Sequence, residues 1–209
     1  MSQLFEFSDD REASSAAKVR ALEALLIEKG VIATDSVDVV LKHFETMAGP
    51  FNGAKIVARA WVDPQYARRL VEDTPKAIAE LSLPLGMTGA EGEHMAAVAN
   101  DANVHNLIIC TLCSCYPWPV LGLPPVWYKS AAYRSRAVID PRGVLREFGT
   151  EIDDDVEVRV WDSTAELRYI VLPERPPETQ NLSEEELASL VTRNAMVGVS
   201  KVPSPGAKA

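Results

Sequence analysis

The chain has 209 residues, of which 47% are hydrophobic and 24% charged, values typical of a globular protein. Its 30 acidic and 21 basic side chains give a formal net charge of −9, which disfavours a nucleic-acid-binding protein because phosphate contacts need clustered Lys and Arg. The N-terminus lacks the features of a signal peptide, and no segment approaches the roughly 18 apolar residues of a membrane span. We therefore expect a cytoplasmic protein, with one compact domain and an appendage.

The first part of the chain is predicted to be helical. One helix, ending at Gly30, has apolar residues spaced three and four apart, namely Val19, Leu22, Leu25 and Leu26. A second, ending at residues 49–50, is expected to bury Val37, Val40, Leu41, Phe44 and Met47. Asp63-Pro64 and Thr74-Pro75 each combine a capping residue with a first-turn proline and predict two further helices. We expect residues 1–82 to form a helical N-terminal arm that packs on itself or wraps a partner.

The second part, residues 83–209, is predicted to mix helices and strands. Residues 83–94 are rich in glycine and mark a boundary, and MAAVAN and VHNLIIC are predicted strands. Helices are predicted around residues 127–133 and 142–148, and VEVRVW and ELRYIVL are predicted to form a hairpin. Ser183 and Glu186 form a capping box that predicts a last helix. The predicted fold class is α+β: a helical N-terminal arm followed by a layered α/β domain.

All three cysteines of the chain lie within the motif CTLCSC, at positions 110, 113 and 115. An odd number of clustered cysteines in a reducing compartment favours metal or redox chemistry over disulfides. Closed zinc and iron-sulfur sites need four ligands, yet the chain has no fourth cysteine and its three histidines lie outside the motif. If deprotonated, the backbone amides of Ser114 and Cys115 would complete an N2S3 set for a trivalent ion and leave a sixth position open. From the chemistry alone, metal-assisted hydration and a structural or redox site stay equally open.

The segment from Cys110 to Pro125, followed by Trp127, Tyr128 and Lys129, closely resembles the metal-binding signature of nitrile hydratase α subunits. The resemblance covers most of the chain and includes NGAKIVARAWVDP, GEHMAAVANDANVHN, YRSRAVIDPRGVLREFG and RVWDSTAELRYIVLPERP. It implies that residues 83–209 are a layered α/β catalytic domain of an enzyme that hydrates nitriles to amides.

The resemblance also implies a set of ligands. Non-corrin cobalt(III), or alternatively iron(III), would be bound by the sulfurs of Cys110, Cys113 and Cys115 and by the amide nitrogens of Ser114 and Cys115. Cys113 would be oxidised to sulfinic acid and Cys115 to sulfenic acid. Thr111 resembles the cobalt type of the family. The attacking oxygen is left open between the Cys115 sulfenate and a water.

Further residues and partners follow from the same resemblance. Trp118 is expected to form a wall of the substrate pocket, with Tyr116 as a hydrogen-bond donor, although both are also consistent with plain packing. Asp162 and Glu166 are expected to support the site from outside the ligand set. Glu91 stands where many relatives have glutamine. A β subunit is expected to supply arginines to the oxidised sulfurs in an α2β2 assembly, and an activator protein or metallochaperone is expected to insert the metal.

Three other functions are weighed against this one. A thiocyanate hydrolase-like cobalt enzyme would share the cysteines, although PWPVLGLPP fits the nitrile enzyme better. A non-catalytic thiolate metal-binding protein would exchange its metal readily. A cysteine-nucleophile nitrilase would need a glutamate and a lysine beside one thiolate, and three clustered cysteines argue against it. Arg134 and Arg136 are the candidates within this chain for cations near the sulfurs.

Overall fold

A computed structural model describes residues 10–46, 48–85 and 94–205. The helices in these ranges are α1 (Asp10–Glu28), α2 (Ser36–Thr46), α3 (Pro50–Val62), α4 (Pro64–Glu72), α5 (Thr74–Ala79), α6 (Trp118–Leu121), α7 (Val126–Lys129), α8 (Ala131–Ile139), α9 (Pro141–Glu147), α10 (Glu184–Leu190) and α11 (Arg193–Val197). The strands are β1 (Met95–Ala99), β2 (Val104–Ile109), β3 (Glu157–Asp162) and β4 (Arg168–Leu172). Within the ranges described, no helix combines the length and the apolar character that crossing a membrane needs. The predicted mixture of helices and strands is confirmed.

The strands form two parallel pairs. β1 pairs with β4, and β2 pairs with β3 in a register that sets Ile109 opposite Asp162. Because the carboxyl ends of parallel strands lie at the same edge, residues that follow β2 come next to the end of β3. This register determines which side chains surround the three cysteines.

The hairpin predicted from VEVRVW and ELRYIVL is wrong. β3 and β4 are neighbours along the chain, but in the described structure each pairs in parallel with a different, earlier strand. Ile170 and Val171 are successive residues of β4, and both are buried. A strand covered on both faces is typical of parallel pairing. Because β3 and β4 belong to different pairs, the short connection after Asp162 carries the chain from one pair to the other.

Helices α3, α4 and α5 pack in the same core as the strands. Ile56, Leu70 and Ile78 belong to the buried cluster that also contains Leu107 and Ile170. The sequence gives no expectation of α3, because Gly49-Pro50 is interpreted as a helix stop, whereas proline is equally favourable in the first turn of a new helix. Residues 50–79, which were assigned to the arm, thus contribute to the domain core.

Helices α1 and α2 expose their apolar residues in the single chain. Val19 is 63% exposed, and Val37, Val40 and Leu41 are exposed as well, so the predicted burial of these three is wrong. No described element of the chain covers this face. The side chain of Phe44 and residue Met47 lie outside the described part of the structure.

Local capping signals agree with the structure more closely. Asp63 accepts hydrogen bonds from the backbone N–H of Gln65 and Tyr66, and the Ser183 capping box is present. Asp73, one residue before the predicted Thr74, caps α5. The hydroxyl of Thr74 instead donates to Leu70 O and accepts from Ala97 N, which ties α5 to β1.

Candidate metal centre

The cysteine loop, residues 110–115, begins where β2 ends. Cys110 is fully buried, whereas Cys113 is exposed. The carboxylate of Asp162, at the end of β3, accepts hydrogen bonds from Thr111 N at 2.9 Å and from Thr111 Oγ1 at 2.5 Å. The parallel register thus places Asp162 against the first turn of the loop. The Thr111 hydroxyl is bonded to this carboxylate.

The loop brings the three sulfur atoms together. All three Sγ atoms lie within 4.8 Å of one another, with 3.7 Å between Cys110 and Cys113 and 3.1 Å between Cys113 and Cys115. With metal–sulfur bonds of about 2.3 Å, two sulfurs at right angles around one ion lie about 3.3 Å apart. The thiols are free, and their spacing fits a single ion bound to all three.

The backbone N–H groups of the loop point toward the sulfurs. Cys113 N donates to Cys110 Sγ at 3.3 Å, and the N–H groups of Ser114 and Cys115 both donate to Cys113 Sγ. The Cys115 thiol and the Ser114 N–H lower the pKa of Cys113, while partial burial raises the pKa of Cys115 to about 12. The two amide nitrogens expected as ligands therefore lie on the sulfur side of the loop, which fits the expected N2S3 set.

Three side chains from neighbouring helices hold the loop and the end of β2 that leads into it. Tyr128 Oη donates to Cys115 O at 2.9 Å, and Tyr133 Oη donates to Ile108 O at 2.7 Å. Arg134 donates to backbone carbonyls of the loop. The loop is therefore attached at its beginning, middle and end to rigid elements of the domain.

A cavity of about 220 Å³ opens beside the sulfurs. It is lined by Cys113, Ser114, Cys115, Tyr116, Trp118 and Arg168. Trp118 is 41% exposed, whereas Tyr116 is buried and its hydroxyl has no hydrogen-bond partner among the described residues. Arg168 was not identified from the sequence, because it begins a strand far along the chain and nothing in the local pattern links it to the cysteines.

Other predicted residues lie elsewhere. Glu166 is exposed, and its backbone N–H donates to Thr164 Oγ1. Glu91 lies outside the described residues. Arg136 forms an ion pair with Glu147 on α9.

A loop of converging thiols at the carboxyl edge of parallel strands, open to a small cavity, defines a protein of mixed helix and strand with a site able to hold a metal ion. The family model for the nitrile hydratase alpha chain matches residues 13–200. The chain therefore belongs to the nitrile hydratase alpha chain family.

Individual relatives agree with this assignment. The chain is 57% identical to the low-molecular weight cobalt-containing nitrile hydratase subunit alpha of Rhodococcus rhodochrous, over 93% of this chain and 91% of that protein. It is 39% identical to the thiocyanate hydrolase subunit gamma of Thiobacillus thioparus, over 89% of this chain and 79% of that protein. Among solved structures, a double mutant of the Fe-type nitrile hydratase from Comamonas testosteroni Ni1 matches with a TM-score of 0.82 and 36% identity, covering 94% of each chain.

Proposed function

We propose that this chain is the metal-carrying α subunit of a nitrile hydratase, which adds one water to a nitrile to give the amide. The observation that carries the proposal is the convergence of three sulfurs within 4.8 Å of one another, beside a cavity that the last two of these cysteines line. Relatives at 57% and 55% identity are named cobalt-containing nitrile hydratase alpha subunits.

Cobalt(III) is the proposed ion, with iron(III) as the alternative. The sulfurs of Cys110, Cys113 and Cys115 and the amide nitrogens of Ser114 and Cys115 would hold it. When bound, the ion supplies Lewis acidity, which activates a nitrile or an oxygen nucleophile. Cobalt is favoured because the named relatives at 50% identity and above include cobalt enzymes, whereas the Fe-type structure is 36% identical.

The side chains around the cavity would orient the substrate. Trp118 offers an apolar wall, and the unpaired hydroxyl of Tyr116 is a hydrogen-bond donor in the same group of lining residues. Arg168 adds a positive charge to a cavity lined by two thiols. Oxidation by dioxygen of Cys113 to sulfinic acid and of Cys115 to sulfenic acid would place oxygen atoms at the cavity. Either a water attacks the nitrile carbon directly, or the sulfenate oxygen attacks it and a water then releases the product and restores the sulfenate, so that one water is consumed for each amide formed.

A β subunit would complete the site, in an α2β2 assembly. Leu112 at the tip of the cysteine loop is 86% exposed, and Trp118 is also exposed, so the open side of the loop presents apolar surface. The apolar faces of α1 and α2 are likewise uncovered in the single chain, which supports a partner-wrapping role for this part of the arm proposed for residues 1–82, whereas residues 50–79 pack in the domain core. Residues 83–209 would form the catalytic domain. An activator protein would insert the metal in the cytoplasm, where thiols stay out of disulfides.

A thiocyanate hydrolase is the second candidate, because the chain is 39% identical to the gamma subunit of such an enzyme. The identity of 57% to a nitrile hydratase alpha subunit favours the nitrile enzyme. Assays of one purified complex with a nitrile and with thiocyanate separate the two, and faster thiocyanate turnover would overturn the first proposal.

The proposal is tested with the full chain produced together with a β partner in cobalt-supplemented cells. We expect amide formation, stoichiometric cobalt, and added oxygens on the peptides of Cys113 and Cys115 but not of Cys110. Cys113→Ser and Cys115→Ser should each abolish activity, because each removes a ligand and an oxidisable sulfur. Full activity in either variant, or three unmodified thiols in the active enzyme, would contradict the proposed centre.

The separate contribution of the partner has its own test. The metal-loaded α chain alone should be inactive toward nitriles, since three sulfurs and two amidates need more positive charge than one trivalent ion supplies. Turnover by the isolated chain at the rate of the complex would refute a shared site.

A further inference from the structure

Arg134 holds the middle of the cysteine loop through a single nitrogen atom. Its side chain extends from α8, and Nη1 lies 3.4 Å from Thr111 O, 3.2 Å from Leu112 O and 3.3 Å from Cys113 O. Three consecutive carbonyl dipoles therefore converge on one cationic group. Carbonyls aligned in this way repel one another, and a positive charge at their meeting point offsets that repulsion.

The two faces of the loop have opposite polarity. The carbonyls of residues 111–113 face Arg134, whereas the N–H groups of Cys113, Ser114 and Cys115 face the sulfurs. Cys113 O and Ser114 N belong to one planar peptide unit, so fixing the direction of that oxygen also fixes the direction of that nitrogen. Arg134 thereby controls where the donor side of the loop points without touching a ligand atom.

The other contacts of the loop lie toward its ends. Asp162 binds Thr111 near the start, and Tyr128 binds the carbonyl of Cys115 at the end. Among the described residues, Arg134 is the side chain that donates to the carbonyls of both Leu112 and Cys113. Loss of Arg134 would leave the central turn held only by its own sulfur contacts.

We propose that Arg134 is a positioning residue that shapes the cysteine loop for metal binding from within this chain. The inference rests on the proposed metal-binding function and deepens it by assigning a role to a residue that is not a ligand. The Arg134 cation acts on the face of the loop opposite the sulfurs. A positive charge supplied by a partner subunit to the oxidised sulfurs would act on the other face. The two contributions are therefore separable.

Arg136 provides a matched control. It is also an arginine, lies two residues further along α8, and forms an ion pair with Glu147 instead of contacting the loop. Its replacement removes the same charge from the same helix, so a general loss of helix stability or of net charge would appear in both variants.

The test uses the full chain co-expressed with its partner in cobalt-supplemented cells, comparing the unaltered complex with R134A, R134K and R136A. Cobalt content is followed during dialysis against excess chelator, and Tm is measured in parallel. Removing a residue that orients metal ligands typically lowers metal affinity about 10–100-fold, and we expect this loss in R134A to appear as cobalt release faster by about the same factor. R134K should release cobalt at an intermediate rate, since the lysine ammonium keeps the charge but reaches the three carbonyls less well than the arginine Nη1. R136A should release cobalt at the rate of the unaltered complex.

The outcomes distinguish this inference from the proposed function. If the unaltered complex retains cobalt, and R134A and R134K both release cobalt no faster than the unaltered complex does, the positioning role is wrong while the metal site stands. If R134A does not fold, R134K decides: faster cobalt loss at an unchanged Tm supports the role, and an unchanged rate overturns it. Equal acceleration in R136A also overturns it. An unaltered complex without cobalt would refute the proposed function itself.

Discussion

Replacement of Tyr128 by phenylalanine removes one hydroxyl from behind the cysteine loop while keeping the ring. The hydroxyl is buried, donates to Cys115 O at 2.9 Å and interacts with the side chain of Ser163. The ring itself packs edge-on against Tyr116 with centroids 4.9 Å apart, and phenylalanine preserves this contact. The substitution therefore isolates the hydrogen bonds that hold the last cysteine of the loop.

The size of the effect follows from these contacts. A neutral hydrogen bond contributes about 1 kcal/mol, and leaving its buried partner unpaired raises the cost to about 1–3 kcal/mol. Because Cys115 is only partly buried, water can replace some of the lost bond, and we expect about 1–2 kcal/mol. In a chain of this size each kcal/mol lowers Tm by about 2–4 °C. Thermal unfolding of the metal-free full chain, followed by circular dichroism, measures this loss.

Tyr116→Phe is the matched control, because the hydroxyl of Tyr116 is equally buried but has no hydrogen-bond partner among the described residues. Removing it should leave Tm unchanged or raise it, since an unpaired buried hydroxyl is unfavourable. Equal losses of Tm in Tyr116→Phe and Tyr128→Phe would refute the reasoning from hydrogen bonds.

Three further predictions concern Asp162, Gly198 and His105. Asp162→Ala removes both hydrogen bonds to Thr111 and should lower cobalt retention under chelator by about 10–100-fold, measured by elemental analysis; unchanged retention would remove Asp162 from the support of the loop. Gly198→Ala places a Cβ 2.0 Å from Asn106 O at a φ of +92°, so beyond about 1–2 kcal/mol of backbone strain it must displace β2, and a Tm equal to that of the unaltered chain would contradict this geometry. Burial lowers the pKa of His105, so the unfolded chain binds its proton first and stability should fall as pH drops below about 6.5; in a pH series of unfolding free energies, His105→Gln should flatten this slope, and an unchanged slope would count against a buried neutral ring.

Features that depend on neighbouring residues in the sequence were predictable. The cysteine spacing placed three sulfurs in one loop, and the Ser183 capping box marked the start of α10, because both result from contacts within a few residues. The two strands leading to Cys110 were also found from their composition. In contrast, strand pairing is decided by tertiary packing, which is why the adjacent β3 and β4 do not form the predicted hairpin.

The surroundings of the site were less accessible from the sequence. Arg168 reaches the cavity only because β4 pairs with β1, and Asp162 reaches Thr111 only because β3 pairs in parallel with β2. Neither pairing leaves a local signal. The burial expected for Val37 was wrong for a related reason, since a helical apolar stripe predicts that a face is covered but not that the same chain covers it.

Activity as a function of cobalt content tests the central claim most directly. Complexes of the full chain and its partner, prepared with graded cobalt occupancy, are assayed for conversion of a nitrile to its amide, and the cobalt in each sample is measured. Amide production should rise in proportion to bound cobalt and be absent without it. Amide production in cobalt-free complex, or fully occupied complex that makes no amide, would contradict the assignment of the cysteine loop as the site of nitrile hydration.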